Sequence, residues 1–384
     1  MTRVLVNLTW LVPGVVGGSE ESTTDALRAV ASSLVAGPHA GECELRLAVL
    51  APLLDAHPDL AAAFDCTVLD LSGANKARRV WADQTWLARA ATEWRAEVVH
   101  HAGGVVPLRH PGRTVLTVHD LQPLDLPDNF SLAKRTYIRS MAARSLRAAD
   151  VVVVPSEFTR DRVRAHGLPA GTPVVVVPWS ARPAPAAVGD RPVPDGVRDH
   201  RIVLYPAITY PHKNHRVLLD AFAGLAAQDD DVRLVLPGRE GSAEGAVRER
   251  IERPDLRGRV VRLGRVPADE LEAWYAAASL VVVPSRYEGF GLPALEAQVR
   301  GIPVLAARAG SLPEVVTARD VVDPDDVTGW TSAMRAVLDE SPTEQSARVA
   351  EGRRRAASWS PERTAAGLLE AYRMAAASAG GATS

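Results

Sequence analysis

The chain has 384 residues, a formal net charge of −2 and 47% hydrophobic residues, enough for two or three domains with sizeable cores. So balanced a charge supplies no global basic field, which argues against a nucleic-acid partner. The two cysteines, Cys43 and Cys66, lack metal-ligand spacing and need not form a disulfide.

The N-terminus opens directly on a short apolar strand, residues 3–6, with no visible signal peptide, and no apolar run approaches the length of a membrane span. A cytoplasmic protein is expected. Further strand-like runs follow at 45–50, 98–100, 115–118, 151–154 and 174–177, with helix-compatible segments such as 23–34 and 131–149 between them. A stretch rich in Pro, Ala and Gly at 182–197 reads as a linker. The alternation then resumes with apolar runs at 202–205, 232–236, 260–263, 280–283 and 303–305. Such alternation predicts parallel sheets covered by helices on both faces. The fold class is therefore α/β, with two Rossmann-like domains facing each other across a cleft. The first spans 1–181 and the second 198–360.

The densest local signal is Glu288-Gly289-Phe290-Gly291-Leu292-Pro293-Ala294-Leu295-Glu296. A buried strand precedes it, and Pro293 suits the first turn of a helix because its missing N–H has no partner to lose there. Gly301, with Pro303 beyond, should end that helix. Glu288 then sits on a strand-to-helix loop at the carboxyl edge of a sheet, with Glu296 in the first helical turn. The amides of Gly289, Phe290, Gly291 and Leu292 converge where an anion could approach. Two carboxylates beside an amide nest describe a site for something anionic that carries hydroxyl groups. Paired carboxylates also suit a glycosidase, but the nest favours phosphate.

This run resembles the Glu-x7-Glu signature of retaining glycosyltransferases of family 4, the group 1 bacterial transferases with the two-domain GT-B fold. Segments at 262–278 and 310–316 match the family's elements on either side of the motif. Lys213-Asn214-His215 and the helix after it resemble the family's phosphate-binding lysine. The match is strong from about 201 to 316 and weaker across the first half.

The resemblance implies transfer of a sugar from a nucleotide-diphosphate sugar to a hydroxyl of a sugar, glycolipid or metabolite acceptor. It implies no metal and no cofactor, the nucleotide sugar being a co-substrate. Lys213 would stabilise the leaving diphosphate, Glu288 and the adjacent amides would bind the donor sugar, and Glu296 would accept from the ribose. The double-glycine loop at Gly17 and Gly18 would approach the diphosphate and acceptor; it is not a G-x-G-x-x-G dinucleotide fingerprint. His119 would stand near the reacting side of the sugar, and Arg265 and Val266 would hold the base through main-chain groups. The family's usual Arg, five or six residues before the Lys, is Ala207 or Ile208 here, leaving His212, Arg239 or the loop amides as substitutes. From its position in the sequence, Glu314 opens the helix after Gly310 and Ser311, either only as an N-terminal cap or as a further site residue. The last helix, 361–377, would cross back onto the first domain.

The helix at 131–149 carries Lys134, Arg135, Arg139, Arg144 and Arg147. It reads either as a solvated face or as a peripheral membrane contact. Two other functions share the architecture: a nucleotide-sugar epimerase, and a non-catalytic nucleotide-sugar-binding subunit of a glycan-assembly complex.

Overall fold

The computed structural model describes residues 1–15, 17–127, 132–181, 197 and 199–378. The chain divides into two compact units, one formed by Met1–Ser180 with Trp359–Ser384 and the other by Ala181–Ser358. Among the described residues, no helix is long and apolar enough to cross a membrane.

The first unit contains a seven-stranded sheet, made of β1 (Thr2–Asn7), β2 (Cys43–Leu50), β3 (Asp65–Leu69), β4 (Val98–His101), β5 (Arg113–Thr117), β6 (Val151–Val154) and β7 (Val174–Val176). Their order is β3-β2-β1-β4-β5-β6-β7, with every pairing parallel. Parallel strands covered on both faces need apolar side chains on both sides. The four valines of β6 are accordingly all buried.

The second unit repeats the plan with β8 (Arg201–Leu204), β9 (Val232–Pro237), β10 (Val260–Gly264), β11 (Ala278–Val283), β12 (Val304–Ala307) and β13 (Val321–Val322). The order is β10-β9-β8-β11-β12-β13, again all parallel. The expected α/β class and Rossmann-like winding are therefore what the chain adopts. In each sheet the winding reverses once, between β1 and β4 in the first unit and between β8 and β11 in the second. The carboxyl ends of strands flanking such a reversal form the natural crevice of an open α/β sheet.

Strands β3 and β13 add to those that the apolar runs predict. Both lie at sheet edges, where a strand is half exposed and carries mixed side chains: β3 reads DCTVL, with no residue fully buried, and β13 has two residues. The linker expected at 182–197 falls outside the described residues except for Val197.

The helix Pro361–Ala377 packs on the sheet of the first unit and beside the helix Gly18–Ala36. Its start is sharp because Ser360 accepts from the Arg363 amide and Pro361 opens the first turn. Leu368, Leu369 and Tyr372 are buried on its inner face, each large apolar side chain contributing about 1.5–3 kcal/mol. Thr364 Oγ1 donates to the Pro178 carbonyl at 2.8 Å, and Tyr372 Oη meets His100 Nδ1 at 2.9 Å.

Residues Leu132–Ala148 form the basic helix, with Ser131 outside the described residues. Arg144, counted with its solvated or lipid-facing cations, turns inward instead. Its guanidinium donates to the carbonyls of Val106 and Pro107 at 2.5 and 2.7 Å.

Candidate functional site

The segments that follow β8, β9, β10 and β11 carry the sequence-predicted donor residues of the second unit. After β8 the chain forms a 3-10 turn, Pro211–Lys213, and then the helix His215–Ala226. After β11 it forms the Glu288 loop and the helix Leu292–Arg300. These two loops flank the winding reversal. The Lys213 ammonium donates to Glu288 Oε1 at 2.7 Å across it, with side chains 21% and 13% exposed.

Local packing holds Glu288 in place. Ser311 donates to its carbonyl twice, from N at 3.2 Å and from Oγ at 3.0 Å. Gly310, at φ 59°, lies so close that a Cβ there would stand 2.6 Å from the Glu288 carbonyl oxygen and 2.7 Å from its nitrogen. Gly291 caps the helix at φ 104°, where L side chains are strained, and a Cβ would stand 2.7 Å from Leu312 Cδ2. Gly289, Phe290 and Gly291 are buried, with Leu292 half-buried beside them. Pro293 falls in the first turn, and Gly301 ends the helix in the left-handed conformation, as its sequence signals imply.

Two positions differ from expectation. Glu296 is the fifth residue of its helix and so lies beyond the first turn, because Gly291 caps the helix and Leu292 begins it. A role confined to complementing the helix dipole weakens there, since that effect falls off within the first turn. Tyr275 Oη donates to Glu296 Oε2 at 2.7 Å. Glu314 is the third residue of Leu312–Val315, whose cap position belongs to Ser311.

Arg239 follows β9 on a segment paired with the residues after β8: Ala207 N donates to the Pro237 carbonyl at 3.0 Å and Thr209 N to the Arg239 carbonyl at 3.3 Å. Arg239 therefore adjoins the positions where the resemblance lacks its arginine. Burial, and secondarily the Lys213 charge, push the His212 imidazole down to about 4. His212 is thus uncharged near neutral pH and a poor substitute for a phosphate-binding cation. Arg265 and Val266 follow β10, at the same edge of the sheet.

In the first unit, Gly17 caps the helix that begins at Gly18. Glu20 folds back on this loop, accepting from the Gly14 amide at 2.7 Å, and its other oxygen meets His57 Nε2 at 3.0 Å. Nothing in the sequence singles out Glu20 for this part. His119 follows β5, with Trp10 and Trp179 at ring-centroid distances of 5.7 and 5.6 Å. Burial pushes its imidazole down to about 4. Nε2 lies 2.9 Å from the Ala102 carbonyl, and a carbonyl can only accept. The proton of the neutral ring therefore sits on Nε2, leaving Nδ1 as an acceptor. Among the described residues, no group of three or more His, Cys, Asp and Glu could hold a metal ion.

A doubly wound pair of units, with a cation and a carboxylate meeting at the strand reversal of the second sheet, defines an open α/β class whose ligand crevice lies at such a reversal. Comparison with known proteins narrows the class. The model of the family described as "Glycosyl transferases group 1" matches residues 190–355, and that of "Glycosyltransferase Family 4" matches 45–179. O-antigen chain mannosyltransferase B of Escherichia coli is 30% identical over 302 residues, covering 76% of this chain and 77% of that protein. D-inositol 3-phosphate glycosyltransferase of Rhodococcus jostii is 33% identical over 283 residues, 70% of this chain but 62% of that protein's length.

Among solved structures, Anabaena HepE in complex with UDP and glucose aligns over 96% of this chain and 99% of its own, at 19% identity and TM-score 0.72. WaaG, a glycosyltransferase involved in lipopolysaccharide biosynthesis, aligns over 96% and 98%, at 16% identity and TM-score 0.69. The chain belongs to the group 1, family 4 glycosyltransferases and has their GT-B fold.

Proposed function

We propose that this chain is a retaining, metal-independent glycosyltransferase that moves a sugar from a nucleoside-diphosphate sugar to a hydroxyl acceptor. The observation that carries this reading is the Lys213–Glu288 pair at the β8/β11 reversal, beside a loop whose amides precede a helix N-terminus. A diphosphate leaving group needs fixed positive charge where its own negative charge develops. Lys213 supplies a compact cation, Arg239 a second, and the amides from Gly289 to Leu292 the remaining donors. Together they do the electrostatic work asked of a metal ion in other transferases.

In this reading Glu288 accepts from hydroxyls of the donor sugar and Glu296 from the ribose, a task suited to carboxylates. Val266 and Arg265 hold the base through the main chain. His119 presents Nδ1 to a sugar or acceptor hydroxyl, with the Gly17–Gly18 loop contributing amides. The bond between the anomeric carbon and the diphosphate oxygen breaks, its electron pair staying on phosphate. The acceptor oxygen attacks from the same face, and its proton passes to the departing phosphate oxygen. The anomeric configuration is retained without a protein nucleophile.

The names of the relatives support sugar transfer, and the UDP and glucose bound by HepE support a nucleotide-sugar donor. The acceptor is a sugar, a glycolipid or a small metabolite. A thermal-shift screen against UDP-, GDP-, TDP- and ADP-sugars without added metal tests the reading. Stabilisation by one nucleotide, weakened in Lys213→Ala, supports it. No shift at millimolar concentration in folded protein refutes it. NMR of the product's anomeric carbon then decides retention.

A further inference from the structure

Asn214 stands between Lys213 and the helix His215–Ala226, at φ 58° and ψ 33°. Asparagine tolerates this left-handed conformation better than most side chains, yet its amide does more than permit a turn. Buried, it donates through Nδ2 to the Pro284 carbonyl at 3.1 Å and to the Pro324 carbonyl at 2.7 Å. Two separate segments, one just past β11 and one just past β13, are thereby tied to the residue that follows Lys213. Both partners are acceptors, so the amide orientation is forced.

A second clamp acts on Lys213 itself. Tyr205 Oη, buried one residue past β8, donates to the Lys213 carbonyl at 2.8 Å. Its single proton is then used, so at 2.9 Å Ser285 Oγ is the donor to Tyr205. Arg286 N donates to the His212 carbonyl at 2.8 Å. Every one of these bonds helps join the Lys213 turn to the segments around it, chiefly the one that leads from β11 into Glu288.

We propose that Asn214 and Tyr205 are positioning residues for Lys213, fixing the turn to the β11 loop so that the ammonium faces Glu288 and a bound diphosphate. Lys213 has four rotatable side-chain bonds, so a directed charge at its tip depends on a backbone that does not shift. This inference rests on the donor-site reading above.

The test is calorimetric affinity for UDP, GDP, ADP and TDP in wild type, Lys213→Ala, Asn214→Gly and Tyr205→Phe, with each of the last two also combined with Lys213→Ala. Glycine keeps the left-handed backbone while removing the amide, and Phe removes one oxygen, so both variants retain the fold; circular dichroism and melting temperature verify this. For the nucleotide that wild type binds, Asn214→Gly and Tyr205→Phe should each weaken affinity about tenfold, and by less than about twofold when Lys213 is already Ala. Wild-type affinity in both single variants, or equal losses with and without Lys213, would overturn the proposal and leave the donor site standing. If wild type binds none of the four, or Lys213→Ala binds like wild type, the donor-site reading fails and this inference with it.

Discussion

Lys213 and Glu288, 75 residues apart in sequence, form a 2.7 Å ion pair at the winding reversal of the second sheet. Both side chains are largely but not fully buried, at 21% and 13% exposure. A diphosphate would compete with Glu288 for the ammonium, and hydroxyls would compete with the ammonium for Glu288. On the proposed reading, the pair keeps two unlike charges ordered in the free protein where the diphosphate and the sugar hydroxyls would meet them. Lys213→Ala and Glu288→Ala should each lower transfer by about tenfold to a hundredfold, or about 1.4–2.7 kcal/mol of transition-state stabilisation, with the fold intact. Steady-state kinetics alongside circular dichroism checks this, and near-wild-type rates in both variants would defeat the assigned roles.

Gly310 sets the depth of the Glu288 loop. A methyl group there would overlap both the nitrogen and the carbonyl oxygen of Glu288, and neither backbone atom can swing aside as a side-chain tip could. The positive φ adds strain of its own, and such outliers cost on the order of 1–3 kcal/mol. Gly310→Ala should therefore lower the melting temperature by several degrees and reduce nucleotide-sugar affinity together. A variant with the affinity and melting temperature of wild type would show that the loop has slack which this packing denies.

Much of this architecture is legible in the amino-acid sequence. The valine runs of β6 and β11 announce buried parallel strands, and Gly291, Pro293 and Gly301 punctuate one helix at both ends. Edge strands β3 and β13 escape such a reading because half-exposed or two-residue strands carry no continuous apolar run. The order of strands is also hidden, since pairing β1 with β4 across some 90 residues depends on the packing of the whole sheet. Arg144 illustrates the same limit, looking like one more surface cation until its two carbonyl partners, nearly 40 residues away, are seen. The clamps by Asn214 and Tyr205 likewise depend on segments that meet only in the folded unit.

Five histidines make acid a specific threat to this protein. Burial pushes His119 and His212 down to about 4, and His100, His101 and His215 down to about 3. For His101 and His215, neither ring nitrogen has a hydrogen-bond partner among the described residues. Unfolding returns each to about 6.5, so the unfolded chain binds more protons as the pH falls. Above about 6.5 the rings are neutral in both states; below it stability is lost as the pH drops toward about 4 for His119 and His212 and toward about 3 for His100, His101 and His215. Each contributes a slope of about 1.4 kcal/mol per pH unit within that window. Urea unfolding at pH 7.5, 6.0 and 5.0 should show stability falling steeply below about 6.5, with two or more protons linked. A flat profile from 7.5 to 5.0 would contradict the buried neutral rings.

Glu296 is oriented by a buried neighbour. Tyr275 Oη fixes one carboxylate oxygen at 2.7 Å, while the Arg300 guanidinium lies 4.7 Å above the Tyr275 ring. If this carboxylate accepts from the ribose, removing a hydroxyl from the nucleotide should cost one hydrogen bond to a charged group, about 1.5–3 kcal/mol. Wild type should therefore bind a ribonucleoside diphosphate about tenfold or more tighter than its 2′-deoxy counterpart. Glu296→Ala should erase that preference by weakening the ribonucleotide alone. Tyr275→Phe should reduce the preference about threefold, since the carboxylate still accepts but loses the bond from Tyr275 Oη that helps aim it. Calorimetric titrations with UDP and dUDP, or with GDP and dGDP, decide the matter. Equal affinities for the two sugars in wild type would remove Glu296 from the ribose.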